Sequence, residues 1–159
     1  MKVKSTYIPG LKIVQSKIYR DNRGLLKEIF KQKLFKNDDF IFNIVSCSKK
    51  NVIRGLHFQS KNPQDKLIIV LKGKILDVAI DLRKNSKTFG KVYNCILSEK
   101  NSKSIFIPEG FAHGFQGLEK ENYIIYSCTK YREKNSEVTI DIWDKDLNIK
   151  WPVKKKRYS

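Results

Sequence analysis

The chain has 159 residues, with 33 Lys and Arg against 16 Asp and Glu, a formal net charge of +17. That length makes one domain able to bury a core without staples, and 40% hydrophobic with 11% aromatic composition excludes a disordered chain. No apolar run is long enough for a membrane-spanning helix, and Met1 to Arg20 carries polar residues throughout, with no apolar signal-peptide core. The basic excess favours anionic partners such as phosphates. The lysines are spread along the chain, often beside Asn and Ile, which argues against nucleic acid or a membrane as the partner. The one dense cluster, Lys154-Lys155-Lys156-Arg157, reads as a short solvated tail over 154–159, after a single domain over 1–153. Cys47, Cys95 and Cys128 are widely spaced and odd in number, which points to reduced thiols in a cytoplasm instead of a disulfide framework or a zinc site.

Residues 11–20 read as an opening strand, Asp21-Asn22-Arg23-Gly24 as a turn, and Leu25 to Phe30 as the segment that follows. Residues 31–39 predict a short helix. Residues 40–46 are rich in β-forming types, and 48–51 form a polar turn. Strands then follow at short intervals, over 52–59, 66–71, 74–82, 91–97, 103–107, 115–118, 123–130 and 138–143. Lys72-Gly73 predicts a hairpin between the second and third of these. Eight or more short strands with almost no helix predict an all-β jelly-roll barrel or sandwich with one or two short helices. Alternation over 75–81 puts Leu76, Val78 and Ile80 on the packed face, with Asp77 and Ala79 toward a polar cavity or solvent.

The chemistry concentrates in Ile53-Arg54-Gly55-Leu56-His57-Phe58-Gln59. The only other histidine, His113, sits in a similar setting, Ile107-Pro108-Glu109-Gly110-Phe111-Ala112-His113-Gly114-Phe115. One histidine in an apolar strand is more often a satisfied core residue. Two of them, each near Gly and Phe in a chain otherwise rich in lysine, narrow the odds against a role in proton transfer near neutral pH. Strict alternation puts Arg54 and His57 on opposite faces, and a bulge at Gly55 is what would turn both inward. Two histidines and scattered cysteines do not supply a metal site of three nitrogens and a carboxylate. There is no phosphate-binding loop, dinucleotide fingerprint or Gly-x-Ser-x-Gly elbow. What remains is acid–base chemistry without metal or cofactor, which needs a base, an acid across the substrate and a cation over a developing oxyanion. His57 is a candidate base, Lys66 a candidate cation and Tyr126 a candidate acid, although a tyrosine in such a strand more often packs in the core. Arg23 and Arg54 are candidates for holding phosphate.

Several stretches, taken in order, resemble one family. They are Arg54 to Gln59 with Pro63-Gln64-Asp65-Lys66-Leu67; Gly73 and Asp77-Val78-Ala79-Ile80-Asp81-Leu82-Arg83; Ser86-Lys87-Thr88-Phe89-Gly90; Leu97-Ser98; and Ile107 to Phe115. Tyr126, Thr129, Tyr131, Glu137, Trp143 and Asp144, with Ile149-Lys150-Trp151-Pro152, complete the pattern. Over about residues 8–153 the sequence is similar to the dTDP-4-dehydrorhamnose 3,5-epimerases. The resemblance implies a metal-independent cupin jelly roll, homodimeric through exchanged N-terminal strands, acting without a cofactor. Its implied substrate is a nucleotide-linked 4-keto-6-deoxysugar, preferably dTDP-linked, on the way to surface polysaccharide. The resemblance implies His57 as the base beside the C4 carbonyl, Lys66 as the cation at the enolate oxygen and Tyr126 as the acid on the opposite face. Asp77 and His113 match a polar pair lining the pocket. Arg23, Glu28, Arg54 and Gln59 match residues that hold diphosphate and sugar, and Tyr131 and Glu137 match residues at the nucleotide end.

Two departures stand out. The family pairs its base with an aspartate from a C-terminal extension, whereas this sequence reaches Ser159 without one. Asp81, Asp141 or a partner-chain carboxylate is expected in that role, or the base is unsupported. Phe42-Asn43-Ile44-Val45-Ser46 stands where the family has a Gln-x-Asn stretch along the sugar pocket. The alternatives are an epimerase of one centre or of another nucleotide-linked 4-keto sugar, a 3,4-ketoisomerase, and a sugar-nucleotide-binding module without catalysis. A basic RNA-binding barrel would need an exposed aromatic stacking pattern that the sequence lacks.

Overall fold

The computed structural model describes residues 1–35 and 39–152. Its strands are β1 (Lys2–Ser5), β2 (Lys12–Gln15), β3 (Ile18–Asp21), β4 (Gly24–Lys27), β5 (Phe42–Lys49), β6 (Ile53–Gln59) and β7 (Lys66–Lys72). They continue as β8 (Lys74–Asp81), β9 (Val92–Ser98), β10 (Lys103–Ile107), β11 (Phe111–Gly117), β12 (Glu121–Cys128) and β13 (Glu137–Thr139). One sheet runs β1-β2-β10-β7-β12-β5 and the other β13-β6-β11-β8-β9, while β3 and β4 form a separate two-stranded ribbon. All pairings are antiparallel. This is the expected jelly roll. Helix among the described residues is limited to the single 3-10 turns Gln32–Leu34, Lys134–Ser136 and Lys145–Leu147. None is long and apolar enough to cross a membrane.

Three apolar layers hold the sheets. Between them, Ile68 and Val70 of β7 and Ile105 of β10 meet Ile75 and Ala79 of β8 and Phe115 of β11. Outside the five-stranded sheet, Leu76, Val78 and Ile80 are covered by Ile142 and Trp151 of the C-terminal segment. Trp151 donates its indole N–H to the Ile142 carbonyl at 2.9 Å. Outside the six-stranded sheet, Leu67, Ile69 and Phe106 lie under Phe35. Burying each of the Ile, Leu, Val and Phe side chains contributes roughly 1.5–3 kcal/mol.

Several expectations need correction. β7 and β8 are not a hairpin, because they belong to different sheets. The chain changes sheet at Gly73, whose φ is +88° and where a Cβ would stand 2.4 Å from the Glu121 carbonyl oxygen. Asn122 Oδ1 accepts the Lys74 amide proton there, which replaces a hairpin ladder. Both faces of β8 are packed, and Asp77 and Ala79 point into the intersheet layer, not to solvent. The sequence pattern could not distinguish these faces, since β8 is covered on both sides. The expected opening strand is two strands, β2 and β3. β1 was not anticipated because all four of its residues are exposed and give no apolar alternation. The short helix expected over 31–39 is only the turn Gln32–Leu34, with 36–38 outside the described residues. The last strand is three residues, not six, because the chain beyond it leaves the ladder to cover the outer face. The basic tail at 154–159 lies outside the described residues.

Candidate active site

β6 supplies Arg54, His57 and Gln59 to one end of the intersheet space. Opposite it on β11, Phe115 pairs with Arg54 and His113 with His57. Three steps on β6 thus match two on β11, and the extra residue forms a bulge at Gly55-Leu56. Gly55 has φ +113°, and a Cβ there would lie 2.6 Å from both Gly114 Cα and the His113 carbonyl oxygen. The bulge cancels the alternation, so Arg54 and His57 line the same cleft.

That cleft encloses about 570 Å³. His57 and His113 enter from the five-stranded sheet, Lys66 and Tyr126 from the six-stranded one. The sequence-predicted base, cation and acid therefore meet in one hollow. His113 Nε2 lies 2.8 Å from Asp77 Oδ2, both buried, and its ring stands edge-on to Tyr126 with centroids 6.2 Å apart. Arg54 Nε donates to Ser48 Oγ at 2.8 Å. Gln59 lines the cleft, but its amide spans the neighbouring loops, donating to Asn62 O at 2.8 Å and accepting the Glu133 N–H at 2.9 Å.

Burial dominates the titration of the three central groups. It pushes the Tyr126 phenol well above its ordinary range, against the pull of the Ser46 hydroxyl and of Arg54. It lowers Lys66, with Cys128 and Glu137 opposing. It also lowers His57, where Glu137 pulls the other way and Lys66, Arg132 and His113 add to the lowering. The phenol is thus held protonated and the imidazole neutral near pH 7.

Glu137 lines the cleft beside His57. Its Oε1 lies 3.7 Å from His57 Nδ1. Arg132 grips the same carboxylate at two points, Nε to Oε2 at 2.8 Å and Nη2 to Oε1 at 3.1 Å. This hydrogen bond from Arg132 is the main reason that the carboxyl sits below its usual range. The carboxylates expected beside the base are engaged elsewhere. Asp81 accepts from Arg83, Ser86 and Thr88, and the exposed Asp141 accepts the Trp143 amide. Arg132 was missed because its link to Glu137 spans an irregular loop without period.

Three other expected substrate residues do not line this cleft. Arg23 is at the tip of the β3–β4 ribbon, paired with Asp21 at 2.6 Å. Glu28 pairs with Lys31 at 2.7 Å. Tyr131 is 66% exposed and packs against Phe42, ring centroids 5.4 Å apart. Ile44, from the stretch that departs from the family pattern, does line the cleft, directly across the ladder from Tyr126. Cys128, not singled out from sequence, lines it beside Lys66.

A family model described as dTDP-4-dehydrorhamnose 3,5-epimerase matches residues 5–159. The chain is 41% identical over 152 residues to a dTDP-4-dehydrorhamnose 3,5-epimerase of Methanothermobacter thermautotrophicus, covering 93% of this chain and 82% of that one. It is also 41% identical over 159 residues to the enzyme of that name from Shigella flexneri, covering 96% and 88%. A crystal structure of the dTDP-6-deoxy-D-glucose-3,5-epimerase from Legionella pneumophila, in complex with dTDP-4-keto-L-rhamnose, superposes with a TM-score of 0.95. It covers 99% of this chain and 87% of its own at 41% identity.

Proposed function

The chain belongs to the dTDP-4-dehydrorhamnose 3,5-epimerase family, and on that premise we propose that it inverts C3 and C5 of a dTDP-linked 4-keto-6-deoxysugar. The observation that carries this reading is the single cleft entered by His57 from one sheet and by Lys66 and Tyr126 from the other. A C–H beside a ketone is too weak an acid for imidazole alone, so charge on the oxygen has to be stabilised. In the proposed step His57 takes the proton. The C–H electron pair becomes a carbon–carbon double bond to C4, and the carbonyl π pair moves onto oxygen. The Lys66 ammonium meets that oxyanion, and one well-placed donor of this kind contributes about 3–4 kcal/mol. Tyr126 then gives its O–H proton to the same carbon from the other face and the carbonyl re-forms, which inverts the centre. Solvent reprotonates the phenolate and takes the proton from the imidazolium, and the cycle repeats at the second carbon. The shifts fit these roles: a neutral imidazole can accept, a protonated phenol can donate, and a lysine lowered by burial donates more strongly.

We further infer a homodimer in which the β3–β4 ribbon carries Arg23 and Glu28 to the partner's cleft. The ribbon pairs with neither main sheet and exposes Leu25 and Leu26 at 58% and 69%. The edge strand β5 exposes Val45 at 58%. Unpaired apolar surface of this kind favours a protein partner. Three free cysteines support a cytoplasmic enzyme.

The test is incubation of dTDP-4-keto-6-deoxyglucose with the protein in heavy water, with deuterium read at C3 and C5 by NMR. Incorporation at both carbons with conversion to the L-sugar is expected. Incorporation at one carbon would make it a single-centre epimerase. A keto group moved to C3 would make it an isomerase, and binding without exchange would leave a binding module.

A further inference from the structure

We infer that Glu137, clamped by Arg132, is the positioning carboxylate of His57: it accepts a hydrogen bond from Nδ1–H and leaves Nε2 as the nitrogen that accepts the substrate proton. The inference rests on the epimerase reading for its chemistry and on register for its geometry. β13 pairs with β6 so that Thr139 is opposite His57 and Glu137 opposite Gln59. Glu137 and Thr139 share a face, so Glu137 is the diagonal neighbour of His57, a distance that a long side chain bridges. The observed Nδ1–Oε1 separation of 3.7 Å is beyond a hydrogen bond, and catalytic contacts of this kind commonly tighten when substrate closes the site.

The surroundings explain the need for the clamp. Facing His57 are Glu137 from β13, Arg132 from the loop before it, Lys66 from β7, and His113 from β11 with Asp77 behind it; Tyr126 and Cys128 come from β12. A lone carboxylate would raise the His57 pKa and so favour the imidazolium, which cannot accept a proton. Arg132 spends two of its donors on Glu137. The carboxylate can then orient the ring while part of its charge is already answered. Asp77 is occupied by His113 and cannot serve.

Removing the two members of the clamp moves His57 in opposite directions. Glu137→Gln takes away the charge that raises the His57 pKa, and Arg132→Gln takes away one that lowers it. Long-range 1H–15N NMR of the free protein reads tautomer and titration of both histidines without any substrate, with His57→Asn assigning the signals. The expected wild-type state near pH 7 is neutral His57 with the proton on Nδ1. In Glu137→Gln the titration should move down and the tautomers mix, and in Arg132→Gln it should move up. In turnover, Glu137→Gln should lower kcat roughly 10²-fold or more, with KM within a few-fold and the acid limb of kcat/KM moved down. Unchanged tautomer and titration in both variants would overturn the inference. So would a tenfold rise in KM with kcat unchanged, which would make Glu137 a binding residue. An inactive wild type with the expected NMR shifts would sink the epimerase reading and leave the Glu137–His57 contact standing.

Discussion

Asp77 and His113 form a buried pair, Oδ2 to Nε2 at 2.8 Å, inside the ladder between β8 and β11. Asp77 is 0% exposed, and its other oxygen, Oδ1, has no hydrogen-bond partner among the described residues. The histidine is therefore the side chain that answers this carboxylate. It also stands edge-on against Tyr126. His113→Leu should cost about 3–5 kcal/mol, because it leaves the buried Asp77 carboxyl group without its partner. Asp77→Asn combined with His113→Leu should recover part of that, since a carboxamide costs less than a carboxyl group to leave without the imidazole. Urea unfolding at pH 7 of both single variants and the double variant measures the coupling. Additive losses would mean that the two side chains act independently.

Lys66 is partly buried at the cleft, with no carboxylate within ion-pairing distance among the described residues. Burial lowers its pKa from 10.5, so the fold penalises its charged form. Between the folded value and 10.5 the unfolded chain binds more protons, so this group makes stability rise with pH across that window. If Lys66 meets the oxyanion as proposed, activity should fall across it, because the oxyanion would lose its ammonium. Lys66→Met should abolish exchange and raise stability by about 0.5–2 kcal/mol, a gain often found when a functional charge is removed. A Lys66→Met protein that is both inactive and less stable would show instead that the ammonium is answered in the resting fold.

Tyr126 carries the second half of the proposed inversion. Tyr126→Phe leaves His57 and Lys66 in place, so C–H protons should still exchange with heavy water on the His57 face. Without the phenol the opposite face has no donor, and product with inverted centres should fall by roughly 10²–10⁴-fold. The ratio of washed-in deuterium to inverted sugar, read by NMR in one sample, checks this. An unchanged ratio would remove Tyr126 from the acid role.

The jelly roll was legible because most strands alternate or run apolar between turn residues, as β6 and β7 do. What local pattern cannot hold is which strands share a sheet. The Lys72-Gly73 corner looks like a hairpin from its residues, and only the contact of Gly73 with Glu121 and Asn122 turns it between layers. The site was legible where chemistry is rare, as with two histidines in the whole chain. It was illegible where it depends on register. Glu137 reaches His57 only because β13 pairs with β6, and a three-residue edge strand leaves almost no sequence signature. Arg54 and His57 could be put on one face only by a bulge whose presence is decided by the tight approach of Gly55 to β11.

Arg23 and His57 offer a test of the proposed dimer that does not depend on seeing it. Arg23 has an 86% exposed side chain on a ribbon outside both sheets, whereas His57 lines the cleft. If Arg23 serves the partner's cleft, Arg23→Ala and His57→Ala should each be impaired in every site of their own homodimers. Mixed dimers would carry one cleft with both residues intact. Unfolding and refolding an equimolar mixture should then restore about a quarter of wild-type activity, from one working cleft in half of the dimers. Light scattering should give the mass of two chains before and after mixing. Activity no higher than the sum of the separate variants, in a mixture shown to contain mixed dimers, would mean that Arg23 acts within its own chain or not at all.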